Sequence, residues 1–293
     1  MKIADKWNDY KIIATSDGMK LENWKGVVLL RPDPQVIWKG GDLYSHDNIN
    51  AVYHRSEKGG GGWERRKSFP DEWTVGYRDL TFKVKPMGFK HTGLFPEQAV
   101  NWDEMARLIS LAKQKNGGRE IKVLNLFAYT GAASVACAKA GATVTHVDAA
   151  KGMVERAGEN ARLSGIESGI RYIVDDCMKF VTREIRRGNK YDAVIMDPPS
   201  YGRGPNGEMW KIERDLFGFV QSCAQVLSDE PLFFLINSYT TGLQPAVLKN
   251  ILTLALKNFK GGADAYEVGI ATEEGIPLPC GASGLFIGEK YDD

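Results

Sequence analysis

Residues 121–148 read IKVLNLFAYTGAASVACAKAGATVTHVD. Ile121–Leu126 is a nearly continuous apolar run, as expected of a strand covered on both faces. Phe127-Ala128-Tyr129-Thr130-Gly131 is a tight turn that opens the helix AASVACAKA, which Gly141 stops. Ala142–Val147 is a second strand, closed by Asp148. Two strands joined by a helix must be parallel, because only a crossover of this length returns the chain to the same end of the sheet.

The pattern repeats down the chain. A helix over 151–163 precedes a third strand, Ile170–Val174, which ends at Asp175-Asp176. A helix over 178–187 precedes a fourth, Tyr191–Met196, which ends at Asp197-Pro198-Pro199. After a long loop come a helix near 212–227, a fifth strand Leu232–Ile236, a helix near 245–257, and late strands near 265–271 and 284–288. This alternation predicts an α/β domain over 96–293 with a Rossmann-like, doubly wound, mostly parallel sheet. Residues 1–95 differ. Short strands punctuated by turns, such as VVLL, the extended RPDPQVIW and WTVGYRDLTFKVK, predict a smaller N-terminal β-rich domain. The run Lys58-Gly59-Gly60-Gly61-Gly62 predicts a flexible turn. No internal repeat is visible.

The chain has 293 residues, 43% hydrophobic and 26% charged, which is ordinary for a globular protein and enough to bury a core without staples. It contains no apolar run long enough for a membrane helix, and MKIADKWNDYK lacks the apolar stretch of a secretory leader. Cys137, Cys177, Cys223 and Cys280 show no C-x-x-C spacing and are expected as reduced thiols in a cytoplasmic protein. His46, His54, His91 and His146 are scattered, so no metal site is expected. A net charge of +1 excludes a uniformly basic coat. Locally, residues 54–91 carry nine Lys/Arg against five Asp/Glu, and six of the seven Trp lie in the first 102 residues. Basic side chains interleaved with aromatics suit phosphates and bases, so this region is a candidate RNA platform; a solvated charged face is the plain alternative.

Ligands of parallel sheets sit beyond the carboxyl ends of the strands. Those ends read Gly131, Asp148, Asp176 and Asp197. The first turn has one glycine and two aromatics, not the G-x-G-x-x-G that lets a pyrophosphate approach the backbone. A ligand without phosphates fits better, with its carboxylate and amine meeting backbone groups of 127–131 and the helix N-terminus. Asp148, seventeen residues after Gly131, suits two ribose hydroxyls, and Asp176 suits an adenine amino group; both could instead cap helices. Pro198 and Pro199 make a rigid turn without N–H donors, so their carbonyls need partners. An amine on a planar substrate is one, and Tyr201 could stack on its ring.

VLNLFAYTGAAS, VTHVDAA, VDDC and VIMDPPSYG together resemble the successive motifs of class I S-adenosylmethionine-dependent methyltransferases over about 120–290. FAYTG, DPPSYG and HTGLFPEQ (His91–Gln98) resemble more narrowly a bacterial branch that methylates 23S ribosomal RNA at cytosine C5. The resemblance implies S-adenosyl-L-methionine as cofactor and RNA as partner. It implies Phe127, Tyr129, Thr130 and Gly131 around the methionine moiety, Asp148 on the ribose, and Asp176 and Cys177 at the adenine. It places Asp197 beside the methyl-transfer site, and Phe95 and Gln98 as further cofactor contacts.

Two departures qualify the resemblance. About 95 N-terminal residues leave little room for that branch's RNA-binding PUA domain. C5 chemistry needs a cysteine nucleophile after the fifth strand, where this chain reads Ile236-Asn237-Ser238-Tyr239-Thr240-Thr241-Gly242. The expectation is therefore methylation of a base nitrogen. Asp197, Pro198, Pro199 and Tyr201 would form the catalytic set, and Arg203 and Lys211 of the long loop could meet phosphates. A protein or small-molecule substrate remains an alternative, as does a nicotinamide-dependent oxidoreductase. The oligomeric state stays open, a homodimer included.

Overall fold

The computed structural model describes residues 1–56, 60–203 and 209–292, Arg203 by its backbone alone. Two compact units emerge: residues 1–100 with 268–280, and residues 101–267 with 281–293. The return of 268–280 to the first unit leaves no mark in the sequence pattern.

The first unit holds β1 (Lys2–Ala4), β2 (Tyr10–Ser16), β3 (Met19–Trp24), β4 (Val27–Pro32), β5 (Ala51–Arg55), β6 (Gly61–Arg65), β7 (Trp73–Tyr77) and β8 (Leu80–Val84). Strands β2 to β6 form a five-stranded sheet in sequence order, and β7 and β8 form a hairpin. Leu21, Val28, Leu30, Ile49 and Val52 close its small core. A buried ion pair is built into that sheet. Arg31 donates to both oxygens of Glu22 at 2.5 and 2.7 Å, and the Tyr10 hydroxyl adds a third bond. Burial alone would raise the Glu22 carboxyl, but Arg31 and Lys20 hold it down at about 2.

Two expectations for this region are corrected. Of RPDPQVIW, only Arg31 and Pro32 are strand. The Asp33 side chain then accepts from the Gln35 N–H and its carbonyl from Val36, a turn that Pro34 cannot oppose with a ladder bond. In the glycine run, Gly61 and Gly62 are strand residues of β6, not turn. A Cβ on Gly61 would collide with the His54 carbonyl and the Tyr53 ring, so the pairing itself demands glycine. Residues 57–59 lie outside the described residues.

The second unit begins with α1 (Ala99–Lys115) and continues β9 (Lys122–Leu126), α2 (Ala132–Lys139), β10 (Thr143–Asp148), α3 (Lys151–Leu163), β11 (Ile170–Val174) and α4 (Cys177–Arg187). Then come β12 (Ala193–Met196), β13 (Tyr201–Arg203), β14 (Met209–Lys211), α5 (Ile212–Ala224), β15 (Phe233–Ser238), α6 (Pro245–Ala255), β16 (Gly261–Ile270) and β17 (Leu278–Gly288). The sheet order β1-β16-β17-β15-β12-β9-β10-β11 confirms the doubly wound α/β class. Strands β15, β12, β9, β10 and β11 run parallel, and β17 runs antiparallel to β15. β9 and β12 bury nearly every residue, which is why their sequence is a continuous apolar run. The core joins Leu124, Val194, Met196, Phe219, Phe234 and Leu248. Among the described residues no helix is long and apolar enough to cross a membrane.

The segment expected as a long loop between strand 4 and its helix contains two short strands among the described residues. β13 and β14 form an antiparallel hairpin with Tyr201 opposite Lys211. The two late strands are also longer than their apolar cores suggest, beginning at Gly261 and Leu278.

Candidate active site at the carboxyl ends of the parallel strands

From β9 the chain winds outward to β10 and β11, then returns to β12 on the other side of β9. The reversal at β9 and β12 is a topological switch point, where a crevice opens beyond the strand ends. Met196 pairs with Leu126, Val147 with Leu126, and Asp148 with Val174. Asp197, Phe127, Asp148 and Asp175 therefore leave neighbouring strands at one rim of the sheet.

The turn after β9 is strained. Phe127 and Tyr129 have φ of +53° and +50°, a left-handed conformation that costs a non-glycine residue about 1–2 kcal/mol. Four hydrogen bonds hold it there. The Phe127 N–H donates to Cys177 Sγ at 3.2 Å, Ala128 N–H to the Val147 carbonyl, Tyr129 N–H to Asp148 Oδ2 at 2.8 Å, and Gly131 N–H to the Ala128 carbonyl. These four amides are thus already used within the turn. Ala132 and Ala133, both half-buried, open the first turn of α2, whose N-terminal end carries no side-chain cap. That is the positive end of a helix dipole facing the crevice rim.

Gly131 has φ +82°, and a Cβ there would sit 2.6 Å from Ala157 Cβ on α3. It serves the turn and lets α3 close on α2. Beneath it, Asn125 donates to Ser134 Oγ, which bonds His146 Nδ1 at 3.0 Å. His146 is fully buried with Nε2 unpartnered, and burial lowers its pKa to about 4. Thr130 is buried, and its carbonyl accepts from Asn160.

Asp148 is half-buried and uses each oxygen once, Oδ2 for Tyr129 N–H and Oδ1 for Ala150 N–H, both at 2.8 Å. It does not cap α3, whose cap residue is Ala150. Each oxygen keeps a lone pair, so two hydroxyls could still bind. Asp176, by contrast, does cap: its Oδ1 accepts from Lys179 N–H at 2.9 Å as the first residue before α4. Asp175 is paired with Arg183. Cys177 is buried, bonded to the Phe127 amide, and pushed up to about 12 by burial.

At β12, Asp197 is half-buried, Pro198 buried and Pro199 exposed. The two proline carbonyls differ. Trp210 Nε1 donates to the Pro199 carbonyl at 2.6 Å, whereas no described residue donates to that of Pro198. The Pro199 carbonyl thus already accepts one bond and keeps one lone pair, while the Pro198 carbonyl has both. Trp210 packs at 5.8 Å on Phe127 and 5.9 Å on Phe219, so its ring joins the DPP turn to the strained turn after β9. Sequence reading missed Trp210; its isolation from the other six Trp was the available signal. Ser200 Oγ bonds Thr240 Oγ1 at 2.7 Å, tying the same turn to the end of β15. Tyr201 is 51% exposed, with its hydroxyl on Met209 Sδ. Lys211 is exposed; the Arg203 side chain lies outside the described residues. Phe95 and Gln98 belong to the first unit, at the short 3-10 helix Pro96–Gln98, with Gln98 buried.

Residues 63–219, more than half of the chain, match the S-adenosylmethionine-dependent methyltransferase family. The chain belongs to that family. This methyltransferase is similar to the SAM-dependent methyltransferase of Agrobacterium tumefaciens, with 31% identity, a TM-score of 0.89, and 98% of this chain and 93% of that one covered. It shares the fold of SMU.776, solved with SAH, at TM-score 0.75 and 18% identity over 96% and 76% of the two chains. It is 32% identical over 174 residues to the ribosomal RNA large subunit methyltransferase K/L of Shewanella frigidimarina, covering 58% of this chain. The chain spans about a quarter of the length of such curated relatives. The cofactor is S-adenosylmethionine, and the oxidoreductase alternative falls. The residues fit the cofactor: uncapped amides at α2 for a carboxylate, and spare lone pairs on Asp148 for a ribose.

Proposed function

We propose that this methyltransferase acts on a base nitrogen of RNA, with ribosomal RNA as the substrate that its relatives favour. The observation that carries the reading is the Asp197-Pro198 pair at the switch point: a carboxylate beside a buried carbonyl with no described donor. Two acceptors at one rim suit an amino group or ring N–H, and they direct the nitrogen's lone pair. S-adenosylmethionine, when bound, supplies an electrophilic methyl group. The protein then has to position the base and exclude water. Asp197 and the Pro198 carbonyl orient the nitrogen, and Asp197 can receive its proton. Tyr201, exposed on β13 directly after the Pro198-Pro199 turn, offers a stacking face.

The thiols support nitrogen over C5 chemistry. Cys137, Cys177 and Cys223 are buried, and burial raises the pKa of all four cysteines. A buried, protonated thiol such as those of Cys137, Cys177 and Cys223 is not a nucleophile.

The test is transfer of labelled methyl from S-adenosylmethionine to fractionated RNA, protein and metabolites, followed by nucleoside mass spectrometry. Label on a nitrogen of a ribosomal RNA base is expected. Label recovered as 5-methylcytidine overturns the nitrogen assignment, and label confined to protein or metabolites overturns RNA.

A further inference from the structure

The first unit contains a cleft of about 580 Å³ between the turn Ser16–Met19 and the segment Lys39–Tyr44. Its walls are fixed from within. Gly40 and Gly41 N–H groups both donate to Ser16 Oγ, at 3.0 and 3.1 Å, and Trp38 Nε1 donates to Thr15 Oγ1. Asp17 is held with φ +49°, and its amide donates to the Trp38 carbonyl. The cleft is thus preformed.

Its lining combines three chemistries. Tyr44, 45% exposed, presents a ring, with Met19 and Leu43 beside it. The Asp17 carboxylate and the Lys39 ammonium line the cleft with no side-chain hydrogen bond or ion pair to a described residue, and the Asp42 carboxylate beside them accepts from the Tyr44 N–H. Arg66 donates to the Tyr44 carbonyl at 3.1 Å, and its guanidinium lies 5.8 Å from the Tyr44 ring. From there Arg66, Arg65, Lys67 and Arg55 follow the β5–β6 edge. Arg66 pairs with Glu64, and Arg65 pairs with Asp71 while lying over Phe69 at 4.3 Å, so the exposed Lys67 and Arg55 side chains, which form no ion pair with a described residue, are the uncommitted charges. β6 is the edge strand of its sheet, with four of its five residues exposed.

We propose that this cleft receives one unpaired base of a single RNA strand whose phosphates run along Arg66, Lys67 and Arg55. The Tyr44 ring stacks on the base, Asp17 accepts from its amino edge and Lys39 donates to its carbonyl or ring nitrogen. Stacking on an aromatic beside a basic track is how single strands are held with little sequence demand. The phosphate contacts add affinity that falls with salt. The inference rests on the RNA reading above and gives it a substrate-holding surface in the first unit.

The test uses the full chain and a fluorescein-labelled single-stranded RNA of about 12 nucleotides, a typical site size. Anisotropy should show Tyr44→Ala weakening binding about tenfold or more, with Tyr44→Phe close to wild type. Lys67→Gln and Arg55→Gln should each lower the salt slope by about 1. Affinity for S-adenosylhomocysteine, measured by calorimetry, should not change in any of these variants, which shows that they remain folded. If the wild type methylates RNA while Tyr44→Ala binds the strand as tightly as wild type, the cleft assignment is overturned and the RNA reading stands. If the wild type neither methylates nor binds RNA, both fall.

Discussion

Asp148 carries two backbone hydrogen bonds and, in the proposed complex, two more from a ribose. Removing a charged acceptor for two hydroxyls should cost about 2–4 kcal/mol of cofactor binding. Calorimetry on Asp148→Ala with S-adenosylhomocysteine should therefore show affinity down by at least tenfold, and unchanged affinity would remove the ribose assignment. Trp210 makes a different kind of contact. Its indole N–H donates to the Pro199 carbonyl and so fixes the direction of the turn that carries the Pro198 carbonyl. Trp210→Phe keeps a ring against Phe127 and Phe219 but loses that bond, worth about 0.5–1.5 kcal/mol. The expected outcome is a fall in kcat several times larger than any change in cofactor affinity, because the substrate side of the site moves and the β9–β10 side does not. Tyr201 is half-exposed, not core, so Tyr201→Ala should leave the melting temperature near wild type. It should lower methyl transfer by about 1–3 kcal/mol if the ring stacks on a base, with Tyr201→Phe mild.

The turn between β9 and α2 stores strain in Phe127 and Tyr129, and its closure depends on one missing side chain. Gly131→Ala adds a methyl 2.6 Å from Ala157 Cβ at a φ of +82°. The two penalties, overpacking and a left-handed alanine, should together destabilise by about 2–4 kcal/mol. Combining it with Ala157→Gly relieves the contact but not the dihedral. Denaturant unfolding should then recover only part of the loss, and full recovery would show that the conformation costs nothing. A buried histidine of β10 also sets a pH dependence. His146, under this turn, has its pKa lowered to about 4 by burial, below the unfolded value near 6.5. The unfolded chain binds the proton first. The stability from the neutral ring is therefore complete above pH 6.5 and declines as pH falls toward 4, by up to about 3 kcal/mol. His146→Gln should flatten the stability curve in that window, and an unaltered curve would assign the loss to other groups.

At the scale of the whole chain, the parallel half was legible because strands buried on both faces, β9 and β12, write themselves as apolar runs; the expected helix 151–163 and strand 170–174 also match α3 and β11, although β11 is a largely exposed edge strand. The site was legible as far as strand ends reveal it. Trp210, Ser200 and Thr240 were not, because their contacts cross between elements distant in sequence. The N-terminal unit misled where glycine and proline acted through tertiary pairing, as in Gly61–Gly62, and the return of residues 268–280 has no local signature. One property of the chain can be tested everywhere at once. Its four cysteines are distributed over α2, α4, α5 and β17, and burial raises the pKa of every one. Cys177 holds the Phe127 amide and borders the cofactor side, so it is the one with a structural duty near the chemistry. Nitrogen methylation needs none of the four thiols, whereas C5 methylation needs one as a thiolate. A chain with Cys137→Ala, Cys177→Ser, Cys223→Ala and Cys280→Ser keeps a hydroxyl for the Phe127 amide and should retain methyl transfer within about tenfold of wild type. The loss it does show should be mainly in melting temperature, since two Cys→Ala changes in the core leave small cavities. Complete loss of transfer in a single folded cysteine variant, with an RNA adduct trapped on that residue in the wild type, would restore the covalent mechanism and displace Asp197 and Pro198 from the centre of the reaction.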